Sequence, residues 1–209
     1  MLSTNLSNAL RAVASALQTT VSLVLVILMA ASVVLLGTLV AEGFTERLRL
    51  RARLPLLVDR IRAGEEPLEQ IIAGSGLLRR QKRALLELKR HPDLTPAMRE
   101  SLAAQLLFKE RTHYDGLVKL SDLVARLGPM FGLLGTLIPL GPGIIALGRG
   151  DTFTLSQSLL TAFDTTIAGL IAAAVAFVVS AVRRKWYDTY MADLELVMEC
   201  VLEVENTHA

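Results

Sequence analysis

The chain has 209 residues, of which 52% are hydrophobic and 20% charged, with a formal net charge of +2 and a mean hydropathy of +0.47. A single soluble core does not accommodate that much apolar surface beside so much charge, so the two must be segregated along the chain. The near balance of charge offers nothing to nucleic acid, and the single cysteine excludes an internal disulfide.

Residues 1–19 read as an outer lead-in, amphipathic or disordered over Thr4–Leu10. Residues 20–42 read as a first transmembrane helix, because Val21–Ala30 shows almost no polar stripe. This run is longer than the apolar region of a signal peptide and is preceded only by Arg11, so a retained span is expected.

Residues 43–126 read as a helical cytoplasmic domain, in which 17 Lys and Arg face 11 Asp and Glu. The basic run Arg47, Arg49, Arg51 and Arg53 continues from the first span and reads as helix, broken at Pro55 and Gly64. Leu68, Ile71 and Ile72, then Leu85, Leu86 and Leu88, recur at helical spacing. His91–Pro96 reads as a turn into a new helix, with Thr95 suited to cap it and Pro96 to its first position. From there Leu102, Leu106, Leu107, Tyr114, Leu117 and Leu120 lead into a second span.

Residues 127–148 form that span, residues 149–154 a short outer turn, and residues 155–182 a third span. Residues 183–209 follow as a cytoplasmic helix. Its apolar face is Tyr187, Tyr190 or Met191, Leu194, Val197 or Met198, and Val201, which predicts packing within the chain. Trp186, Tyr187 and Tyr190 are placed to form an interfacial aromatic belt, and Arg183, Arg184 and Lys185 a stop-transfer anchor. The expected fold is therefore all-α: a polytopic membrane protein whose three transmembrane helices extend into a helical cytoplasmic layer. Lys and Arg accumulate after the first and third spans, which puts the N-terminus outside and the C-terminus inside.

Two features carry chemistry. Asp164 is the only charge between Thr152 and Val182, flanked by Thr161, Thr165 and Thr166. A carboxylate in hydrocarbon costs about 2.5–3.5 kcal/mol on insertion scales, so such a residue points to an ion path or to a partner helix. Counted back from Arg183 it falls in the outer half of the membrane. The second span contributes Gly128, Gly132 and Thr136 at four-residue spacing, with Gly135 and Pro139 likewise four apart. Small residues allow close helix approach, while Pro139 and Pro142 free backbone carbonyls that a neighbour, water or an ion must satisfy. The small stripe of the third span includes Thr165 and Gly169. These stripes are expected to face neighbouring subunits or a central axis. No catalytic residue, metal site or cofactor is indicated: the three histidines are scattered, and Cys200 reads as a core or exposed thiol with no base beside it. An enzyme is not expected.

The segments Gly132-Leu-Leu-Gly-Thr-Leu-Ile138 and Thr165-Thr-Ile-Ala-Gly-Leu-Ile-Ala-Ala-Ala174 resemble the second- and third-helix signatures of the MotA/TolQ/ExbB proton-channel family, in its ExbB/TolQ branch. The motif likeness covers about residues 126–185, and the topology covers nearly the whole chain. The resemblance implies a homo-oligomer, a pentamer, around single-span partner helices of the ExbD, TolR or MotB kind in the cytoplasmic (inner) membrane. It implies that flow of protons or Na+ drives mechanical work on an outer structure. It carries the family's pore threonines to Thr136 and Thr166 and the third-helix acid to Thr161. Here the acid stands three residues further on, at Asp164, where it either replaces the family's acid or selects a different ion. The run Pro139–Gly143 departs from the usual pattern and marks a divergent branch. Two other functions remain in play, a non-conducting oligomeric membrane scaffold and a subunit of a substrate transporter.

Overall fold

The computed structural model describes residues 2–44, 54–63, 67–91 and 94–207. Six helices and no strand occur among the described residues: α1 (Leu2–Glu42), α2 (Leu54–Ala63), α3 (Leu68–Gly74), α4 (Arg79–Lys89), α5 (Pro96–Gly148) and α6 (Thr152–Thr207). The helix expected over Arg47–Arg53, the break at Gly64 and the Pro92–Asp93 part of the turn lie outside the described residues.

Three helices, α1, α5 and α6, contain stretches long and apolar enough to cross a membrane, which makes this a multi-pass membrane protein. The residues read as a separate lead-in are the first turns of α1, and the residues read as a separate tail are the last turns of α6. Neither junction holds a helix breaker, so nothing stops the helix where the polarity changes. Pro55 is the second residue of α2. Pro96 opens α5 as expected.

The chain divides into two compact units, residues 1–37 with 119–181 and residues 38–118 with 182–209. In the first unit α1 buries Val21, Leu25, Leu28, Ser32 and Leu35, a repeat of four and three residues on one face. Leu23, Val26, Ile27, Val33 and Val34 remain exposed on its other faces, as a helix against lipid requires. α5 and α6 meet along a seam of small residues. A Cβ built on Gly128 would lie 2.6 Å from the Gly169 carbonyl oxygen, and one on Gly135 would lie 2.6 Å from Thr165 Cβ. Ala162, Ala172, Ala176 and Ser180 of the α6 stripe are buried as well. The small stripes thus pack against elements of their own chain, contrary to the expectation that they face other subunits. Once small side chains let two backbones approach this closely, both faces are consumed.

The second unit has its own core: Ile61 of α2, Ile71 and Ile72 of α3, and Leu85 and Leu88 of α4 close on Tyr187, Tyr190, Leu194, Val197 and Val201 of α6. The predicted apolar face of the α6 tail is buried within the chain. Tyr187 and Tyr190 stack with Tyr114, at centroid distances of 4.6 and 6.4 Å, and are buried. They are therefore core residues, not members of an interfacial belt. Gln81 donates to the Tyr190 carbonyl at 2.9 Å and accepts from the Leu78 backbone N–H at 3.0 Å, which joins the start of α4 to α6. Cys200 is buried in this core, so a thiol reagent gives no information on sidedness from that position.

Arg183 differs from the expected anchor. Its side chain is 4% exposed and donates to Glu42 at 3.2 Å and to Thr38 Oγ1 at 2.9 Å, while the Tyr187 hydroxyl lies 3.4 Å from the same carboxylate. Arg184 and Lys185 remain exposed. Removing one member of a buried pair strands the other charge and costs about 3–5 kcal/mol, whereas replacing both with apolar groups costs much less. Arg183→Met and Glu42→Gln should each lower the unfolding midpoint markedly, and the Arg183→Met/Glu42→Met double variant should recover most of the loss. Thermal unfolding of the three variants is the check.

Candidate functional site

Gly135 touches Thr165, and Gly132 lies 3.6 Å from the Thr166 Cα, each distance taken from a Cβ built on the glycine. These contacts set the register of α5 against α6 and bring Thr136 level with the Thr165–Thr166 pair. Asp164 precedes that pair by one residue. The charge-free stretch of α5 lies between Arg126 and Arg149, and at about 1.5 Å per residue it is about 33 Å long. Thr136, and Asp164 beside it in depth, lie near its middle. Counted instead from Arg183 and the exposed Arg184 on α6, Asp164 lies about 30 Å from the basic residues.

The hydroxyls satisfy themselves locally. Thr136 donates to the Leu133 carbonyl at 2.7 Å, Thr161 to Gln157 at 3.0 Å, Thr165 to Ala162 at 2.9 Å and Thr166 to Ala162 at 3.2 Å. Each oxygen keeps lone pairs for a further donor or a cation. Thr165 sits in the seam, where its side chain fills the space that Gly135 leaves.

Asp164 is exposed, and so are Leu160 at 62% and Ile167 at 55%, one turn to either side. At about 100° per residue, Asp164 and Thr166 project from α6 some 160° apart. The chain therefore joins Thr136, Thr165 and Thr166 along the α5–α6 seam and leaves Asp164 on an outward apolar face. The same spacing puts Gln157 within about 20° and Thr161 within about 60° of Asp164. Thr161, Gln157, Ser158, Gln18 of α1, and Pro139 and Pro142 of α5 line a hollow of about 260 Å³. All three prolines of α5 lie inside a continuous helix. Pro139 and Pro142 lack the N–H that would bond the Gly135 and Ile138 carbonyls.

One polar contact was not legible in the sequence. Ser180 donates a short hydrogen bond to Asp122 across the seam, and Ser121 beside it is fully buried. Asp122 and Ser180 are 58 residues apart, and only the seam register brings them together.

In the turn, Asp151 accepts from the Thr154 hydroxyl at 2.5 Å and from its backbone N–H at 3.0 Å, which caps α6. These bonds, the hydroxyl's first, hold the Asp151 carboxyl below its ordinary range. The folded-state value is lowered, so the cap is in force above the ordinary carboxylate range and is lost as pH falls through the lowered value. Asp151→Ala should speed hydrogen exchange of the amides of residues 152–155 at neutral pH. The difference from wild type should vanish in acid.

A sequence model described as the MotA/TolQ/ExbB proton channel family matches residues 68–196, well over half of the chain. The biopolymer transport protein exbB1 of Vibrio cholerae serotype O1 is 30% identical over 138 residues, covering 61% of this chain and 59% of that protein. The chain thus spans about three-fifths of the length of that curated relative. The match covers both halves of the small-residue seam and the Asp164 face. The chain belongs to the MotA/TolQ/ExbB proton channel family.

Proposed function

We propose that this protein is a proton-conducting subunit that couples a transmembrane gradient to mechanical work through a single-span partner. One observation carries the proposal. Asp164 lies level with the middle of the charge-free stretch of α5, exposed among Leu160, Ile167 and Ile171, and no described element of its own chain covers it. A carboxyl on a lipid-facing surface at that depth is strongly disfavoured, so a helix from outside the chain must cover it. The proton-channel family supplies the kind of assembly that does so: a ring, here taken as a pentamer, around a partner helix. In that ring Asp164 accepts and releases the proton, while Thr136 and Thr166 line the path with hydroxyl oxygens. The turn at residues 149–151 faces outward and the second unit lies in the cytoplasm, in accord with the basic residues after the first and third spans.

The small-residue seam is used up inside the protomer, so the ring must be held by the exposed faces of α1, α5 and α6. Native mass measurement of the purified protein, alone and with its single-span partner, tests this. A closed ring that binds the partner is expected, with Asp164→Cys forming a cross-link to it. A monomer at every concentration and no cross-link would contradict the reading.

A further inference from the structure

The hollow one turn before Asp164, at Thr161, is not absorbed by the seam or by the ring. It lies in the first unit, toward the Arg149–Asp151 turn. Amide and hydroxyl groups of Gln18, Thr154, Gln157, Ser158 and Thr161 line it, beside the ring of Phe153. Pro139 and Pro142 form another part of its wall, and the carbonyls they leave without helical donors belong to the same stretch of α5. A carbonyl at this depth needs a donor, and water is the donor a polar hollow admits. A volume of about 260 Å³ holds several waters. Along α6 the Gln157–Thr161–Asp164 face runs from this hollow straight to the acid. Thr161 is about 4.5 Å and Gln157 about 10.5 Å from Asp164 along the axis.

We infer that this hollow is a water-filled entry by which a proton reaches Asp164 from the side of the α5–α6 turn. The inference rests on the conducting role proposed above and deepens it. A hydronium in the hollow, hydrogen-bonded to Gln157 and Thr161, passes its proton to the Asp164 carboxylate. The acid becomes neutral and a water molecule remains behind. The hollow itself contains no carboxylate to retain a metal cation, so its neutral oxygens favour a chain of water. Gln18 gives α1 a part in the path.

The test uses the full chain assembled with its partner in vesicles, in a Cys200→Ser background. Gln157→Cys and Thr161→Cys should react with a membrane-impermeant maleimide added to the turn side, and Leu160→Cys and Ile167→Cys should not. Thr161→Val and Gln157→Leu should each lower proton flux by up to about tenfold with the assembly intact, as the loss of one hydrogen-bonding group allows. No labelling at 157 and 161, when both label fully after unfolding, would show a dry hollow and overturn the inference. Labelling with unchanged flux in both apolar variants would overturn it as well. Labelling is read without ion flow, so a dry hollow leaves the conducting role standing. Full flux in Asp164→Asn would sink the role and the entry together.

Discussion

Asp164→Asn is expected to lower partner-dependent proton flux by about a hundredfold or more while leaving the ring assembled, because it removes the one group in the span able to take and give a proton. The amide keeps the size and polarity of the acid, and no contact among the described residues depends on the charge, since Asp164 is exposed in the protomer. Assembly should therefore survive. Thr136→Val and Thr166→Val should lower flux less, by up to about tenfold each, in line with the loss of one hydrogen-bonding oxygen. Their own hydrogen bonds run to Leu133 and Ala162 of the same helix, so the loss of these bonds leaves the fold in place. Thr165→Val should behave differently. Its side chain is packed against Gly135, and it should affect stability before flux. The ordering Asp164 before Thr136 and Thr166 separates a charge-carrying acid from a snorkelling one. A flux in Asp164→Asn equal to that of the threonine variants would reduce the acid to a structural residue.

The second large effect belongs to the seam. Gly169→Val is expected to prevent α5 and α6 from packing. A Cβ at this position would lie 2.5 Å from the Gly128 carbonyl oxygen and 3.0 Å from the Gly132 Cα. Both are backbone atoms and cannot move aside as a flexible side chain can. The helices must separate, and overpacking of this kind costs about 1–3 kcal/mol or more before the lost seam contacts are counted. Gly169→Ala should already show most of the effect. Gly141→Ala on α5 is the control: nothing lies within 4 Å of a Cβ there, and alanine is the better helix former. Thermal unfolding in detergent should show a large drop for Gly169→Val and no drop for Gly141→Ala. Equal midpoints for the two would mean that the seam does not hold the spans together.

The spans, the all-helical fold and the buried face of the α6 tail were legible in the sequence, because each rests on a local period. Tyr187, Leu194 and Val201 recur at helical spacing, and all are buried. The partner of a face was not legible. A stripe such as Gly128, Gly132 and Gly135 permits close approach to any small surface, and the period does not say whether that surface belongs to the same chain. Aromatic residues past a basic anchor suit a membrane interface and a soluble core equally, and Tyr114, which decides for the core, lies 73 residues before Tyr187. Arg183 carries no mark that distinguishes it from Arg184, yet one is buried against Glu42 and the other is exposed. Asp164 itself, as the lone charge in its span, was legible at once. That it points away from Thr166 follows from a separation of two residues on a helix, but which side the rest of the chain occupies does not.

The central claim is that this chain moves protons only together with a membrane partner. Its most direct test is proton uptake by vesicles under an imposed membrane potential, with the wild-type chain alone, a single-span partner alone, and the two together. Uptake should occur with both proteins present, in the absence of Na+, and should stay at the level of empty vesicles with either alone. No uptake from the assembled complex, or equal uptake from the chain by itself, would contradict the account.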